Sequence, residues 1–274
     1  MKHQITFVIF TYNESRRIEY VMRCCQPYGR ILVMDNHSTD ATVDIVRSFG
    51  AEVHLHHHPG YVEEESVARN VLSKVSTDWV YWGYADEILP HPLLRRLQHV
   101  AEEDRYKLVV IPRKTVHYGV RALNLVPETS PRFFKKGYVD FTGNRIHHMG
   151  KFVGKPEEVL HLPRKDAYSL YHCSTYNLRK FELAHSSYSD TEAQMPGKRF
   201  SPVRMLLYPP YFLLRYYVLT GEWRSGWPAL IMAMQYCFFF FNVQAKIWER
   251  EHGITLESIE KNFDAIKEDI LREH

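Results

Sequence analysis

An α/β fold with a mostly parallel sheet flanked by helices is predicted by three observations on this 274-residue chain. Apolar strand-like runs recur, helical spacing separates them, and each run ends in a polar cluster. "ITFVIF" (5–10) ends in "TYNES", and "RILVMD" (30–35) ends in "NHSTD". Unbroken apolar runs of this length read as parallel strands buried on both faces. Between them "RRIEYVMRCC" has helical spacing at Ile18, Val21 and Met22 and stops before Pro27 and Gly29. Ser38 is placed to cap a helix through "DATVDIVRSF", with Gly50 as its stop. "AEVHLHH" gives a third strand, "EEESVARNVLSKV" a helix and "DWVYWGYA" (78–85) a fourth strand. In such sheets ligands gather at the carboxyl ends of the strands, where "TYNE", "DNHSTD" and "ADE" fall.

Beyond "KLVVIPRKTVHYG" the pattern turns irregular and rich in His, Arg and Gly to about residue 165, as expected of a loop-built, acceptor-facing region. Residues 176–192 read as helical. The stretch 202–248 is apolar and aromatic, with Arg204, Arg215, Arg224 and Lys246 against the single acid Glu222. Residues 225–245 carry no charge, close to the roughly 20 residues that span a bilayer. Gln235, Asn242, Gln244 and Pro228 argue against a span, and Pro209, Pro210 and Arg215 cut the run before it. Two helices lying in the membrane interface, with Arg and Lys reaching lipid phosphates, are the expectation. A buried helical hairpin or a homodimer interface is the alternative. Leu256, Ile259, Phe263, Ile266 and Ile270 recur every three or four residues, the stripe of an amphipathic helix.

A formal charge of +3 gives no basic face for nucleic acid. The four cysteines form no CxxC pair, and the apolar run in "MKHQITFVIFTYNE" is too short for a secretory signal. A reduced, cytoplasmic chain follows as an expectation. "HLHHH" (54–58) lacks a Cys or carboxylate at zinc-ligand spacing and reads as a solvated strand end.

Two turns carry the candidate site. Asp35 and Asn36 stand at a strand end, with Ser38, Thr39 and Asp40 in the following turn; for Ser38 and Asp40 helix capping competes with ligand contact, which is favoured for Asp35. Thr11, Tyr12, Asn13 and Glu14 occupy the equivalent turn of the neighbouring strand, so both loops should converge on one pocket. After the fourth strand come Ala85 and two carboxylates, Asp86 and Glu87, costly beside a buried strand unless something positive meets them.

"FTYNES…VMDNHSTDAT…ARN…DWVYWGYADE" resembles the nucleotide-sugar-binding half of inverting family 2 glycosyltransferases of the GT-A fold. "SPRFFKKG", "FTGNRIHH" and "LYHCSTYNLRKF" resemble later landmarks of the bacterial lipopolysaccharide-core, WaaE-like subgroup. The resemblance implies a donor half at 1–110, an acceptor half at 111–198 and a membrane-associating helical extension at 199–274. It places Thr11, Tyr12, Asn13, Glu14, Asp35, Asn36, Ser38, Asn70, Ala85 and Asp86 at the nucleotide-diphosphate sugar, with UDP as the prior base. Asp86 matches the last Asp of the DxD motif, which holds a divalent cation, Mg²⁺ or Mn²⁺, on the diphosphate. Tyr84 stands where the first acid is usual. His172 matches a histidine that can complete the metal shell. His147 matches a subgroup histidine, but His148 replaces the Glu expected as base, which makes the imidazole the candidate; Glu128 and Asp140 are carboxylates nearby. Glu87, Arg132 and Arg145 are the candidate acceptor or phosphate contacts. The acceptor implied is lipid-linked or of lipopolysaccharide type, at the inner face of the plasma membrane. A catalytically weak nucleotide-sugar-binding scaffold is the rival that Tyr84 and His148 suggest, and a transferase acting on a soluble glycan is another.

Overall fold

The computed structural model describes residues 4–56, 62–119, 123–144, 149–173 and 177–272, and only the backbone at 123–129. Arg145, His147 and His148 therefore lie outside the described residues, as does the side chain of Glu128. Two compact units emerge, Met1–Val116 with Pro127–Ser174, and His117–Val126 with Thr175–His274. Residues on both sides of 110 fall in the first unit as far as residue 174, apart from 117–126.

In that unit β1 (Ile5–Thr11), α1 (Ile18–Cys25), β2 (Arg30–Asp35), α2 (Thr42–Ser48), β3 (Glu52–Leu55), α3 (Glu65–Lys74) and β4 (Trp79–Tyr84) follow in the predicted alternation. Then come β5 (Glu87–Ile88), α4 (His91–Glu103), β6 (Leu108–Thr115), β7 (Leu123–Lys135), β8 (Val139–Asp140), β9 (Lys151–Phe152), β10 (Val159–His161) and β11 (Leu170–His172). Among the described residues one nine-stranded sheet runs β3-β2-β1-β4-β7-β6-β11-β5, with β10 added beside β6. β1 pairs in parallel with β2 and β4, and β2 with β3, whereas β4–β7 and β11–β5 are antiparallel. The sheet is the mixed, mostly parallel one expected.

Every residue of β1 is buried because helices cover both faces. On one face Phe7, Ile9, Val33, Trp79 and Tyr81 pack with Ile18, Val21 and Met22 of α1 and Leu93, Leu94 and Leu97 of α4. On the other, Val8, Phe10, Leu32, Met34, Val80 and Trp82 pack with Val67, Ala68 and Val71 of α3. Each such side chain contributes about 1.5–3 kcal/mol of transfer free energy, so the strand ends rest on a rigid base.

The second unit holds α5 (Leu178–Ala193), α6 (Pro202–Leu213), α7 (Trp227–Glu251) and α8 (Leu256–Arg272). Pro209 and Pro210 do not cut α6: the chain continues helically into a π-turn over Leu214–Val218, and the Pro209 carbonyl accepts from Cys237 Sγ. Phe212 meets Tyr236 and Phe240, and Tyr208 meets Phe240, so α6 and α7 form a hairpin. Its burial is one-sided: Ala229, Met232, Ala233 and Cys237 are buried, whereas Leu206, Leu207, Trp227 and Phe238 are exposed. Among the described residues α7 alone is long and apolar enough to cross a bilayer. The closing helix α8 forms as its spacing predicts, with Leu256, Phe263, Ile266 and Ile270 exposed.

Candidate active site

The turns after β1 and β2 are bound to one another. Asn36 N–H donates to the Thr11 carbonyl at 2.9 Å, and Asn13 Oδ1 accepts from Thr39 N–H at 2.8 Å. Asn13 N–H donates to Ser38 Oγ at 2.8 Å, Glu14 N–H to Thr42 Oγ1 at 2.7 Å and Ser15 N–H to Asp40 Oδ2 at 3.1 Å. Asn13 (φ 53°) and His37 (φ 58°) adopt the left-handed conformation that these tight turns need. The two loops converge as the sequence spacing implied.

This clamp revises two roles. Ser38 is not a helix cap: α2 begins at Thr42 with Ala41 as N-cap, and the Ser38 hydroxyl donates to Asp35 Oδ1 at 2.6 Å. Asp35 is fully buried and also accepts from Ser38 N–H at 2.8 Å, so its carboxylate shapes the turn from beneath instead of lining the groove. Asp40 accepts from Thr42 and Ser15; burial pushes its carboxyl up, but those hydrogen bonds outweigh it and hold it down to about 2. A depressed carboxyl stabilises the fold above its ordinary value of 3.8 and loses that contribution as pH falls toward 2. Asp40→Asn should therefore destabilise the protein in urea unfolding at neutral pH, and the difference from wild type should shrink as pH falls through that window. A difference that persists unchanged at the acid end would remove the clamp from Asp40.

Asp86 and Glu87 were expected to lack a cation until a ligand brings one, yet the chain sets Arg132 against Glu87 and places a histidine beside Asp86. Antiparallel pairing of β5 with β11 sets His172 opposite Glu87. His172 Nε2 lies 3.0 Å from Asp86 Oδ2, and the His172 Nδ1 is buried without a hydrogen bond. Burial raises the Asp86 carboxyl, while His172 and the Arg17 charge outweigh it and keep it below the usual range. Glu87, 1% exposed, pairs at 3.3 Å with Arg132, 6% exposed, and accepts from Tyr81 Oη at 3.3 Å and Tyr84 N–H at 3.2 Å. Arg132 also donates to the Trp82 carbonyl at 3.3 Å and lies 4.8 Å from the centre of the Tyr84 ring. Glu87 and Arg132 thus form a buried strut beneath the strand end. Gly83 permits this, because a Cβ there would meet Tyr81 Cε1 at 2.3 Å.

A groove of about 230 Å³ opens over these strand ends, lined by Phe10, Thr11, Tyr12, Glu14, Met34, Asn36, His56, Val62, Tyr84, Ala85 and Asp86. Of the expected donor residues it gathers Thr11, Tyr12, Glu14, Asn36, Ala85 and Asp86. Asn13 acts through the clamp, while Asn70 sits on the exposed face of α3, outside the groove. Thr11 Oγ1 is buried with no hydrogen-bond partner, and the Tyr12 ring is exposed. The sequence reading missed two groups. Arg17, three residues after Glu14, grips its carboxylate with two nitrogens and reaches the Cys173 carbonyl at 3.5 Å; the acid–base spacing of three was the available signal. Glu63 accepts from the Tyr84 hydroxyl, so a carboxylate stands behind the tyrosine that replaces the first acid of the motif.

Among the described residues no three His, Cys, Asp or Glu side chains cluster as a metal cage. The Asp86–His172 pair does fit a cation that keeps water and shares phosphate oxygens, since Mg²⁺-type sites take only one or two carboxylates from protein. His56, in the "HLHHH" run, lines the groove, and His54 pairs with Glu52 at 2.6 Å.

In a mostly parallel sheet a groove at the strand ends, here closed at one side by Asp86 with His172 beside it, is where a ligand is taken. The family model "Glycosyl transferase family 2" matches residues 6–157, and the chain belongs to that family; it is a glycosyltransferase. It is 26% identical over 263 residues to an uncharacterized glycosyltransferase of Rickettsia bellii, covering 90% of this chain and 86% of that one. It is 27% identical over 244 residues to the lipopolysaccharide core biosynthesis glycosyltransferase LpsC of Rhizobium meliloti, covering 85% and 86%. Among solved structures, mannosyltransferase PcManGT of Pyrobaculum calidifontis, in complex with GDP-Man and Mn²⁺, aligns at a TM-score of 0.48 and 15% identity, covering 93% and 89%.

Proposed function

We propose that this glycosyltransferase is inverting and moves a sugar from a nucleotide-diphosphate donor to a hydroxyl of a lipid-linked or lipopolysaccharide-type acceptor at the inner face of the plasma membrane. The observation that carries the reading is the groove running from the clamped β1 and β2 turns to Asp86 at the end of β4. Tyr12 offers an exposed ring to the base, and Thr11 and Asn36 offer hydrogen bonds to the nucleoside. Asp86 and His172 would hold a divalent cation, Mg²⁺ or Mn²⁺, which when bound would offset the charge on the departing diphosphate. The acceptor oxygen bonds to the anomeric carbon as the bond to the diphosphate oxygen breaks, and the hydroxyl proton passes to His148, beside His147. Arg17 holds Glu14 in place, and Glu63 holds the Tyr84 phenol. The similarity to LpsC, a lipopolysaccharide core biosynthesis glycosyltransferase, supports a lipopolysaccharide-type acceptor. The anomeric configuration of the product, read by NMR coupling constants, tests the mechanism: inversion is expected, and retention of the donor's configuration contradicts it.

The α6–α7 hairpin supports the membrane reading. Leu206, Leu207, Leu214, Trp223 and Trp227 are exposed, and the Arg215 guanidinium lies 5.7 Å from the Tyr211 ring and 5.3 Å from the Tyr216 ring. Arg224 lies 4.7 Å from the Trp223 ring. Aromatic rings beside guanidinium groups suit an interface where one end meets acyl chains and the other phosphate. Vesicles containing anionic phospholipid should carry the protein upward in flotation, and Trp223→Ala with Trp227→Ala should weaken this. Flotation indifferent to both tryptophans would assign the face to a protein contact instead.

A further inference from the structure

A second cavity, of about 640 Å³, lies beside the donor groove and is lined by Arg17, Tyr20, Arg23, Cys24, Asp86, Ile88, His91 and Cys173. Asp86 is the one residue lining both cavities among the described residues. A ligand here would reach the carboxylate at which the donor groove ends.

The chemistry of the walls differs from that of the donor groove. α1 turns Ile18, Val21, Met22 and Cys25 into the core, which leaves Tyr20, Arg23 and Cys24 on its other face with Arg17 just before it. Arg17 and Arg23 are six residues apart, about 9 Å along a helix at its usual rise. Arg17 and Arg23 are cationic, and His91, whose Nδ1 lies 3.1 Å from Tyr28 Oη, adds a polar ring. Asp86 is the one carboxylate among the lining residues, and it lies 3.0 Å from His172. Arg17 is paired with Glu14, and Arg23 meets Glu19 only at 3.9 Å with both side chains more than half exposed. His91 opens α4, which has no acid in its first turn and no side-chain cap at Pro90, so the helix end adds partial positive charge. Tyr20 and Ile88 supply apolar surface.

We infer that this second cavity receives the acceptor, and that it selects one carrying a phosphate group, held by Arg17, Arg23 and His91 with its apolar portion against Tyr20 and Ile88. The inference deepens the proposed transfer reaction by naming the acceptor's charge and its approach to Asp86 from the α1 side.

Two thiols in the wall make the test direct. Cys24 and Cys173 both line the cavity, whereas Cys25 is buried in the core. Alkylation by iodoacetamide, mapped to each cysteine by peptide mass spectrometry, is followed with dodecyl phosphate, glucose 6-phosphate or uncharged dodecyl maltoside present. Nucleotide-sugar binding is measured calorimetrically on the same preparations. Saturating phosphate ligand should slow labelling of Cys24 and Cys173 about tenfold at ten times its Kd, and Arg23→Glu should abolish that protection. Protection by both phosphates means that the charged group suffices; protection by dodecyl phosphate alone means that a lipid-linked phosphate is required, and either supports the assignment. Absence of protection by both, equal protection by dodecyl maltoside, or protection retained in Arg23→Glu overturns it. Donor binding that persists beside such a failure would sink the acceptor assignment and leave the donor site standing, while lost donor binding would count against the transferase reading itself.

Discussion

Asp86→Ala should lower sugar transfer and donor hydrolysis by on the order of 10²- to 10³-fold, the loss typical of removing one preorganised group that stabilises transition-state charge. Asp86 is the carboxylate at which donor groove and second cavity meet, and it is held 3.0 Å from His172. His172→Ala should cost less, about 10- to 100-fold, as expected when a group that orients or supplements a metal ligand is removed. Circular dichroism should show both variants folded, because Asp86 keeps contact with solvent and its loss strands no deeply buried charge. Single-turnover assays with saturating donor and Mn²⁺ read the effect. An unchanged rate in Asp86→Ala would remove the residue from the reaction.

The second large effect is on stability. Glu87→Ala should destabilise the protein by about 3–5 kcal/mol, because Arg132 would be left buried without its counter-charge. A thermal melt should read this as a fall on the order of 10 °C for a domain of this size. Replacing both members, Glu87→Gln with Arg132→Met, should recover much of the loss, since the neutral pair strands no charge. The exposed pair Arg69–Glu65, by contrast, should contribute no more than about 1 kcal/mol. A small change in Glu87→Ala would mean that water reaches the strut.

β1, β2 and β4 were legible in the sequence because they are buried on both faces and so written as nearly unbroken apolar runs, whereas the less buried β3 showed only as a short alternating run. β2 was bounded to the residue, and β1 and β4 within one or two, since polar turn residues follow them directly. The convergence of the two turns was also legible, from their equivalent positions on neighbouring strands. What the turn residues do was not. Ser38 and Asp35 look like cap and ligand, yet short side-chain acceptors can satisfy neighbouring backbone N–H groups instead, and here they do so. Arg132 was legible only as a charge: its partner Glu87 is 45 residues away, and the antiparallel β4–β7 pairing that joins them leaves no local pattern. The Glu63 carboxylate behind Tyr84 is hidden for the same reason, since 21 residues separate the pair. Pro209 and Pro210 misled because packing against α7 holds the helix through them.

The central claim is that the groove ending at Asp86 takes a nucleotide-diphosphate sugar together with a divalent cation. Isothermal titration of UDP-, GDP-, ADP- and dTDP-sugars into the wild-type protein, each with and without Mn²⁺, tests it most directly. The account predicts that one nucleotide series binds, with UDP first in expectation, and that its affinity falls sharply when Mn²⁺ is withheld. Binding by none of the four, or binding indifferent to the metal, would contradict it.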